Sequence, residues 1–331
     1  MASLVSRHTP LAVVATATAW LALPLPPALA QDLFTPQHVA KIRTVTSAAI
    51  SPDGTSIAYT VSVPRRPLVD DDGGPWNELH IVGPDGVARP LVTGENILSS
   101  VQFTPDGKGL SFLARRGKDT TRALYVLPLA GGEARRVLGH ETDVGSYTWS
   151  PDGKRVAFLA AEAAPKARRE LEKKGFTQDV YEEAVPLQRV WVDTIDDEAP
   201  ARMLDLKGSA SQVTWSPTGN RLALALAPTA LVDDDYMARK VRVVDVETGS
   251  VVASVANEGK LRVIEWSPDG RMLALVSGAD IHDPAPGRLM VAPSNGGPPR
   301  DVLPGYKGHV AALAWVGAET VRFVGDEAPE Q

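Results

Sequence analysis

Trp149-Ser150-Pro151-Asp152-Gly153 is the stretch of this 331-residue chain that decides its fold, because close copies of it recur. Their second residues stand at positions 51, 104, 150, 216, 267 and 316, so neighbouring copies lie 46 to 66 residues apart. Self-similarity at a spacing of about 50 residues is typical of propellers and other repeat architectures. The remaining copies are Ile50-Ser51-Pro52-Asp53-Gly54, Phe103-Thr104-Pro105-Asp106-Gly107, Trp215-Ser216-Pro217-Thr218-Gly219, Trp266-Ser267-Pro268-Asp269-Gly270 and an eroded sixth, Trp315-Val316-Gly317-Ala318-Glu319.

The chemistry of the repeat indicates a tight turn between two strands. Proline presets its backbone φ angle, aspartate tolerates the next turn position, and glycine supplies a positive φ. The strand that follows has apolar residues on both faces, as in Val156-Ala157-Phe158-Leu159. Such a strand is buried on both sides, as it is when its sheet lies between two neighbouring sheets. A second strand follows most copies, for example Ala123-Leu124-Tyr125-Val126-Leu127.

Three to four strands in a unit of about 50 residues form one blade of a β-propeller. We therefore predict an all-β protein, a β-propeller with about six recognisable blades that is incomplete at its C-terminus. Helical repeats would need apolar faces with a period of 3.6 residues, and the chain has no such pattern. The sequence predicts the number of blades to within one, because Thr44–Ile50 can supply a strand either to the first unit or to the last blade.

The first 30 residues have the pattern of a secretory signal peptide. Arg7 and His8 form a basic start, residues 11–23 are an apolar run, and Ala28-Leu29-Ala30 precedes Gln31 as a small-x-small cleavage site. An apolar run of this length is too short for a permanent membrane anchor. We therefore expect an exported protein, periplasmic or secreted after cleavage near Ala30, with one propeller domain over residues 31–331.

Composition excludes several classes of protein. The chain has no cysteine, which excludes a disulfide scaffold, a thiol nucleophile and a thiolate metal site. Its formal net charge of −6 provides no basic surface for nucleic acid, so we expect no nucleic-acid partner. No segment after residue 30 approaches 18 consecutive apolar residues, and we therefore expect no membrane partner.

The longest interval between copies contains a charged insertion at about residues 160–188. Residues 160–174 are rich in alanine and in charge, which favours a short solvated helix or a flexible arm. Loops that emerge from a rigid scaffold often carry its binding functions. The insertion is therefore a candidate gate or partner-binding element, and the simpler alternative is a solvated excursion of the chain.

The residues offer no recognisable catalytic apparatus. A Gly-x-Ser-x-Gly elbow is absent, and the histidines neither pair at metal-binding spacing nor have an evident Ser or Asp partner. Asp70-Asp71-Asp72 and Asp233-Asp234-Asp235 lack the alternating oxygens and the glycine of a calcium loop, so we interpret both as solvated loops. The sequence therefore predicts no catalytic residue, no metal site and no cofactor.

The repeated Ser-Pro-Asp-Gly turn with its apolar strand resembles the N-terminal β-propeller of the prolyl oligopeptidase family of serine peptidases. Acylaminoacyl-peptidase and dipeptidyl-peptidase-like members are the most similar. The likeness runs from Leu33-Phe34-Thr35-Pro36 to Trp315 and includes residues 175–183 and 227–234. In that family the propeller precedes an α/β-hydrolase domain that holds the Ser, Asp and His, and this sequence shows no such domain. The turn by itself also occurs in TolB-like propellers.

The resemblance implies that this propeller gates and recognises substrate for an exported serine peptidase. The implied partners are a peptide substrate and an α/β-hydrolase domain, and the sequence leaves open whether the chain by itself is an enzyme. In dipeptidyl peptidases a Tyr-Glu-Glu string holds the free α-amino group of the substrate by charge-assisted hydrogen bonds. Tyr181-Glu182-Glu183 matches it, so Glu182 and Glu183 are candidate substrate-binding residues, the alternative being two solvated glutamates. The alternative function is a stand-alone TolB-like periplasmic propeller that acts as a protein-interaction module.

Overall fold

The computed structural model describes residues 34–327, and nearly all of their regular structure is antiparallel β-sheet. Five sheets have four strands each and a sixth has two, with the strands of each sheet neighbouring one another in chain order. The prediction of an all-β propeller with about six recognisable blades, the last one incomplete, is thereby confirmed. The predicted signal peptide, residues 1–30, lies outside the described residues.

The sheets are numbered as blades 1 to 6 in chain order. Blades 1 to 3 consist of β1 (Thr44–Ile50), β2 (Ile57–Val63), β3 (Trp76–Val82), β4 (Ala88–Val92), β5 (Leu98–Phe103), β6 (Gly109–Ala114), β7 (Ala123–Pro128), β8 (Arg135–Leu138), β9 (Val144–Trp149), β10 (Arg155–Ala161), β11 (Gln188–Thr194) and β12 (Arg202–Met203). Blades 4 to 6 consist of β13 (Ser209–Trp215), β14 (Arg221–Ala227), β15 (Lys240–Asp245), β16 (Val251–Val255), β17 (Leu261–Trp266), β18 (Met272–Ser277), β19 (Arg288–Pro293), β20 (Arg300–Asp301), β21 (His309–Gly317) and β22 (Thr320–Asp326).

The described residues form three short helices outside the sheets: α1 (Pro36–Val39), α2 (Lys166–Lys173) and α3 (Val232–Met237). Within residues 34–327, no helix has the length and apolar character needed to cross a membrane.

Strand β1 belongs to blade 1. It pairs with β2, from Thr44 opposite Ser62 to Ile50 opposite Ile57. The alternative in which Thr44–Ile50 completes the last blade is therefore wrong. The reason is local, because the short turn at residues 51–56 returns the chain directly along the strand it has just left.

The repeated turn is held by side-chain hydrogen bonds that its sequence supplies. In the third turn the Gly153 amide donates to the Ser150 carbonyl at 2.9 Å. The Ser150 hydroxyl donates to Asp152 Oδ1 at 2.5 Å, and the Lys154 amide donates to the same oxygen at 3.1 Å. The hydrogen bond from the Ser150 hydroxyl lowers the pKa of the Asp152 carboxyl most, and the bond from the Lys154 amide lowers it further. The turn therefore favours the charged carboxylate.

The turns of neighbouring blades contact one another. A Cβ placed on Gly107 would lie 3.7 Å from Pro52 Cδ, and one on Gly153 would lie 3.8 Å from Pro105 Cδ. Both glycines have φ of +69°, a conformation that favours glycine. In the second to fifth turns the glycine thus contacts the proline of the turn before it, so these turns interlock.

The second strands of blades 2 to 5 form core. All six residues of β6 are buried, and Phe112, Phe158 and Leu224 are among the largest fully buried side chains. The predicted burial on both faces is confirmed for these strands, since side chains from adjacent blades cover each face. It is wrong for the second strand of blade 1, where Ile57 is exposed, because blade 1 has a neighbouring blade on one side only within residues 34–327.

Tryptophans near the ends of the first strands of the blades also connect the blades. We call the first strand of each blade its inner strand. Trp266 Nε1 donates to the Thr214 carbonyl at 3.2 Å, and Trp315 Nε1 donates to the Glu265 carbonyl at 3.3 Å. In both pairs the acceptor lies on the inner strand of the preceding blade. The indole N–H thus ties neighbouring sheets together in addition to the packing of the aromatic ring.

The two ends of the array are uncovered. No residue of β1 or β22 is buried, whereas the inner strands β5, β9, β13 and β17 all contain buried residues. Within residues 34–327, blade 1 and blade 6 therefore each lack the covering that two neighbours give to the inner blades, as expected of an incomplete propeller.

Candidate functional site

The long connections of the propeller all lie at one end of the blades. Because the strands alternate in direction, the connection from the second to the third strand is at the opposite end from the repeated turn. We call this end the loop face, and it consists mainly of residues 64–75, 115–122, 162–187, 228–239 and 278–287. The candidate residues Glu182 and Glu183 and both aspartate runs therefore lie on the loop face.

The insertion of blade 3 occupies residues 162–187 of the loop face and is tied down at several points. At its base the Glu162 amide donates to the Leu187 carbonyl at 2.9 Å. Further out, Arg168 on α2 contacts Glu172 at 2.8 Å and Asp179 at 2.7 Å. The second of these ion pairs holds the returning leg of the insertion against its helix, so the segment has a defined course.

Glu182 and Glu183 lie on that returning leg, in a turn with unusual backbone angles. The Glu183 amide donates to the Val180 carbonyl at 3.0 Å, while Glu182 and Ala184 have φ of +60° and +52°. Left-handed conformations are costly for residues with a side chain and cluster at functional sites. Both glutamates are exposed, and neither forms an ion pair within the described part of the chain.

The insertion also exposes several large apolar side chains. Phe176 is 56% exposed and Tyr181 is 78% exposed. Exposed apolar side chains on one segment are candidates for an interaction surface. We call this set the apolar insertion patch: Leu171, Phe176, Val180, Tyr181 and Val185.

A cleft of about 780 Å³ lies on the loop face of blade 1, and it includes part of the first aspartate run. Arg65 lies over the Trp76 ring at 3.8 Å and donates to the Asp71 carbonyl at 2.9 Å. Arg66 pairs with Asp70 at 2.6 Å, and this ion pair lowers the pKa of the Asp70 carboxyl. Asp70 is therefore an ion-pair partner within its own loop.

A second cleft, of about 570 Å³, lies between the insertion and the α3 segment of blade 4. Val185 and Pro186 form one wall, and Ala230, Val232 and Tyr236 form the other. The floor comes from the first residues of the inner strands of blades 3 and 4: Gly145, Ser146, Ser209, Ala210 and Ser211. We call it the blade 3–4 cleft.

The second aspartate run does not form the solvated loop expected from the sequence. Asp233, Asp234 and Asp235 occupy the first turn of α3, where negative side chains offset the positive end of the helix. Thr229 Oγ1 donates to Asp234 Oδ2 at 2.6 Å, and Arg239 pairs with Asp235 at 2.8 Å. These contacts fix α3 as the outer wall of the blade 3–4 cleft.

This cleft was not predicted from the sequence, although one sequence signal for α3 was present. Acidic residues are enriched in the first turn of helices, and the run at 233–235 fits that pattern. The cleft itself had no such signal, since its walls come from two blades that meet only in the folded chain. Among residues 34–327, no cluster of three or more histidine, aspartate or glutamate side chains has a geometry that could hold a metal ion.

His140, on the connection between blades 2 and 3, packs among aromatic rings. Its ring centroid lies 4.5 Å from that of Trp191 and 5.6 Å from that of Phe158. Burial lowers the pKa of His140, so the neutral ring is favoured. Its Nδ1 contacts Thr142 Oγ1 at 3.1 Å, which is the arrangement of a packing histidine.

Solved structures share this architecture. Acylaminoacyl peptidase from Pyrococcus horikoshii is 14% identical, with a TM-score of 0.63, over 87% of this chain and 44% of that one. The β-propeller domain of the Trilobed protease from Pyrococcus furiosus, described as having an open velcro topology, is 13% identical, with a TM-score of 0.58, over 87% and 80% of the two chains. A protein from Agrobacterium tumefaciens identified as TolB is 18% identical, with a TM-score of 0.52, over 79% and 81%.

Sequence similarity to curated proteins is limited to part of the chain. The uncharacterized peptidase YuxL from Bacillus subtilis (strain 168) is 30% identical over 107 residues, which are 32% of this chain and 16% of that protein. No protein-family model matches the sequence. The chain thus spans less than half of the acylaminoacyl peptidase and a small part of YuxL. It is a β-propeller of the kind found in acylaminoacyl peptidase, in prolyl endopeptidase and in TolB.

Proposed function

We propose that this chain is the substrate-recognition and gating propeller of an exported serine peptidase of the prolyl oligopeptidase type. The catalytic Ser, Asp and His belong to an α/β-hydrolase domain, and the propeller domain covers residues 31–331. The observation that carries the proposal is that two glutamates without an ion-pair partner among residues 34–327 lie on the loop face together with the apolar insertion patch. The fold shared with the peptidases supports it.

In this proposal Glu182 and Glu183 bind the free α-amino group of a peptide. Two carboxylates offer several acceptor oxygens, and an ammonium group offers three donors. Because both side chains are exposed and lack a cationic partner in the described residues, no internal ion pair has to break before the peptide binds. The hydrogen bond from the Glu183 amide to the Val180 carbonyl closes the turn that carries the exposed pair.

The apolar insertion patch serves as a contact surface for the hydrolase domain. An exposed apolar cluster loses its contact with water when a second domain covers it, which stabilises the assembly. The loop face then forms one wall of a closed chamber, and the insertion controls entry of peptides into it.

The double variant Glu182→Gln/Glu183→Gln is expected to bind a free-amino tetrapeptide about tenfold more weakly, because charge-assisted hydrogen bonds are lost at an exposed site. Isothermal titration calorimetry measures this. Acetylating the amino group of the peptide is expected to weaken binding to the unaltered chain by the same factor. Glu198→Gln, a change at an exposed glutamate in the turn between β11 and β12, is the matched control. Equal binding of free and acetylated peptides would refute the role of the glutamate pair.

The proposal also places the protein outside the cytoplasm, periplasmic or secreted. Protein isolated from the cell envelope or the medium of the source cells is expected to begin near Gln31, as cleavage after Ala30 requires. N-terminal sequencing checks this, and a start at Met1 or Ala2 would contradict export through a cleaved signal.

A second candidate is a stand-alone TolB-like propeller that binds another protein. The observation favouring it is that the likeness to TolB covers about four-fifths of both chains, 79% of this one and 81% of that one. The two functions differ in their ligand. A recognition propeller of a peptidase binds short peptides through the amino terminus, whereas an interaction module binds a folded protein and ignores acetylation of a peptide.

A further inference from the structure

We propose that the blade 3–4 cleft binds an apolar side chain from one of the first two residues of a peptide. This rests on the proposed function, in which Glu182 and Glu183 hold the amino terminus, and it adds a preference for the peptide side chain. It would make the cleft a specificity-determining site rather than a gap between loops.

Proximity to the glutamate pair is the first support. Val185, which lines the cleft, lies two residues after Glu183 along the chain. Two residues span at most about 7 Å from Cα to Cα, and an extended peptide advances about 3.3–3.6 Å per residue. A peptide whose amino group rests on the glutamates can therefore place its first or second side chain at the cleft.

The lining of the cleft is the second support. Its walls carry Val185, Pro186, Val232 and the Tyr236 ring, which suit an uncharged apolar group. The one cation among its lining residues, Arg239, is neutralised by Asp235, with N–O contacts at 2.8 and 3.1 Å. The volume of about 570 Å³ lies within the range of small-ligand sites, about 300–1,000 Å³.

The floor supplies the third support. Ser146 and Ser211 both line the cleft, and the hydroxyl oxygen of each is buried without a hydrogen-bond partner among residues 34–327. These two oxygens have no accessible surface to offer a ligand, so the floor presents small, uncharged residues to an apolar side chain.

The rigidity of the outer wall completes the argument. Thr229 accepts from the Leu231 amide at 3.1 Å and donates to Asp234, which fixes the start of α3. Lys260, from the connection to blade 5, lies 4.6 Å over the Tyr236 ring. A wall held at both ends can discriminate between side chains by shape, since it does not move to accommodate them.

The test compares two free-amino tetrapeptide amides, Leu-Leu-Gly-Gly and Asn-Asn-Gly-Gly, which have side chains of similar size. The unaltered chain is expected to bind the leucine peptide about tenfold more tightly in isothermal titration calorimetry. Val232→Asp places a charge on the wall and is expected to abolish this difference. Val232 is 61% exposed and begins α3, where aspartate is favourable, so the fold should be retained. Circular dichroism checks that it is.

A second variant and the acetylated peptides separate the two proposals. Ala230→Trp fills the cleft and is expected to abolish the preference for the leucine peptide, as Val232→Asp does. Ala88→Trp, on the exposed edge strand of blade 1, is the matched control. Equal affinity for the two peptides, or a leucine preference that survives both cleft variants, would overturn the cleft proposal. Dependence on a free amino group would then still stand as support for the glutamate pair. Absence of any peptide binding at millimolar concentration would overturn both.

Discussion

Replacing Trp266 by alanine is expected to lower the free energy of unfolding by about 3–5 kcal/mol, the usual cost of truncating a large buried aromatic side chain. Trp266 is 7% exposed and packs in the core shared by blades 4 and 5. The substitution removes the contacts of the ring with that core and leaves a cavity. It also removes the Nε1 hydrogen bond to the Thr214 carbonyl of blade 4. Urea unfolding followed by circular dichroism measures the loss.

Two phenylalanine variants divide this effect into packing and hydrogen bonding. Trp266→Phe keeps an aromatic ring but loses the bond to Thr214, and we expect about 1 kcal/mol of the loss to come from that bond. Trp215 holds the equivalent position one blade earlier, and its buried Nε1 has no partner among residues 34–327. Trp215→Phe therefore removes no hydrogen bond and should cost less than Trp266→Phe. If the two phenylalanine variants lose equal stability, the indole hydrogen bond contributes nothing to the contact between blades.

The blades could be predicted from the sequence because the signal for each one is local. A turn such as Ser150-Pro151-Asp152-Gly153 carries its own hydrogen-bonding groups, and the strand after it, Arg155–Ala161, shows its burial in its composition. Neither feature depends on distant residues. The same reasoning left the strand Thr44–Ile50 open, since an exposed strand carries no apolar pattern that assigns it to a neighbour.

The candidate site could be predicted only in part. The sequence marked Glu182 and Glu183, but their chemical environment depends on a turn with two positive φ angles at residues other than glycine, which no composition rule predicts. The blade 3–4 cleft was not predictable at all. Its walls are residues 185–186 and 230–236, which are brought together by the packing of blade 3 against blade 4. A sequence pattern predicts features that form within one repeat, whereas this cleft forms between two repeats that meet only in the folded chain.

The interlocking of the turns gives the last prediction, a comparison of two glycines at equivalent positions. Gly54 and Gly270 have nearly the same φ, +72° and +70°. A Cβ on Gly54 would have no neighbour within 4 Å, whereas one on Gly270 would lie 3.0 Å from the Thr218 methyl group of the preceding turn. Gly54→Ala is therefore expected to cost about 1 kcal/mol for the backbone strain alone. Gly270→Ala is expected to cost about 2–3 kcal/mol, because it adds overpacking to the same strain.

Urea unfolding of both variants measures the difference, and a third variant tests its cause. Thr218→Ser removes the methyl group that the new Cβ would meet but keeps the hydroxyl, which lies 2.8 Å from Ser216 Oγ. Combined with Gly270→Ala, it is expected to recover most of the excess loss, whereas combined with Gly54→Ala it should recover none, since residues far apart act independently. Equal losses for the two glycine variants would mean that the turns lie side by side without supporting one another. The stability of the array would then come from the sheets and their aromatic residues alone.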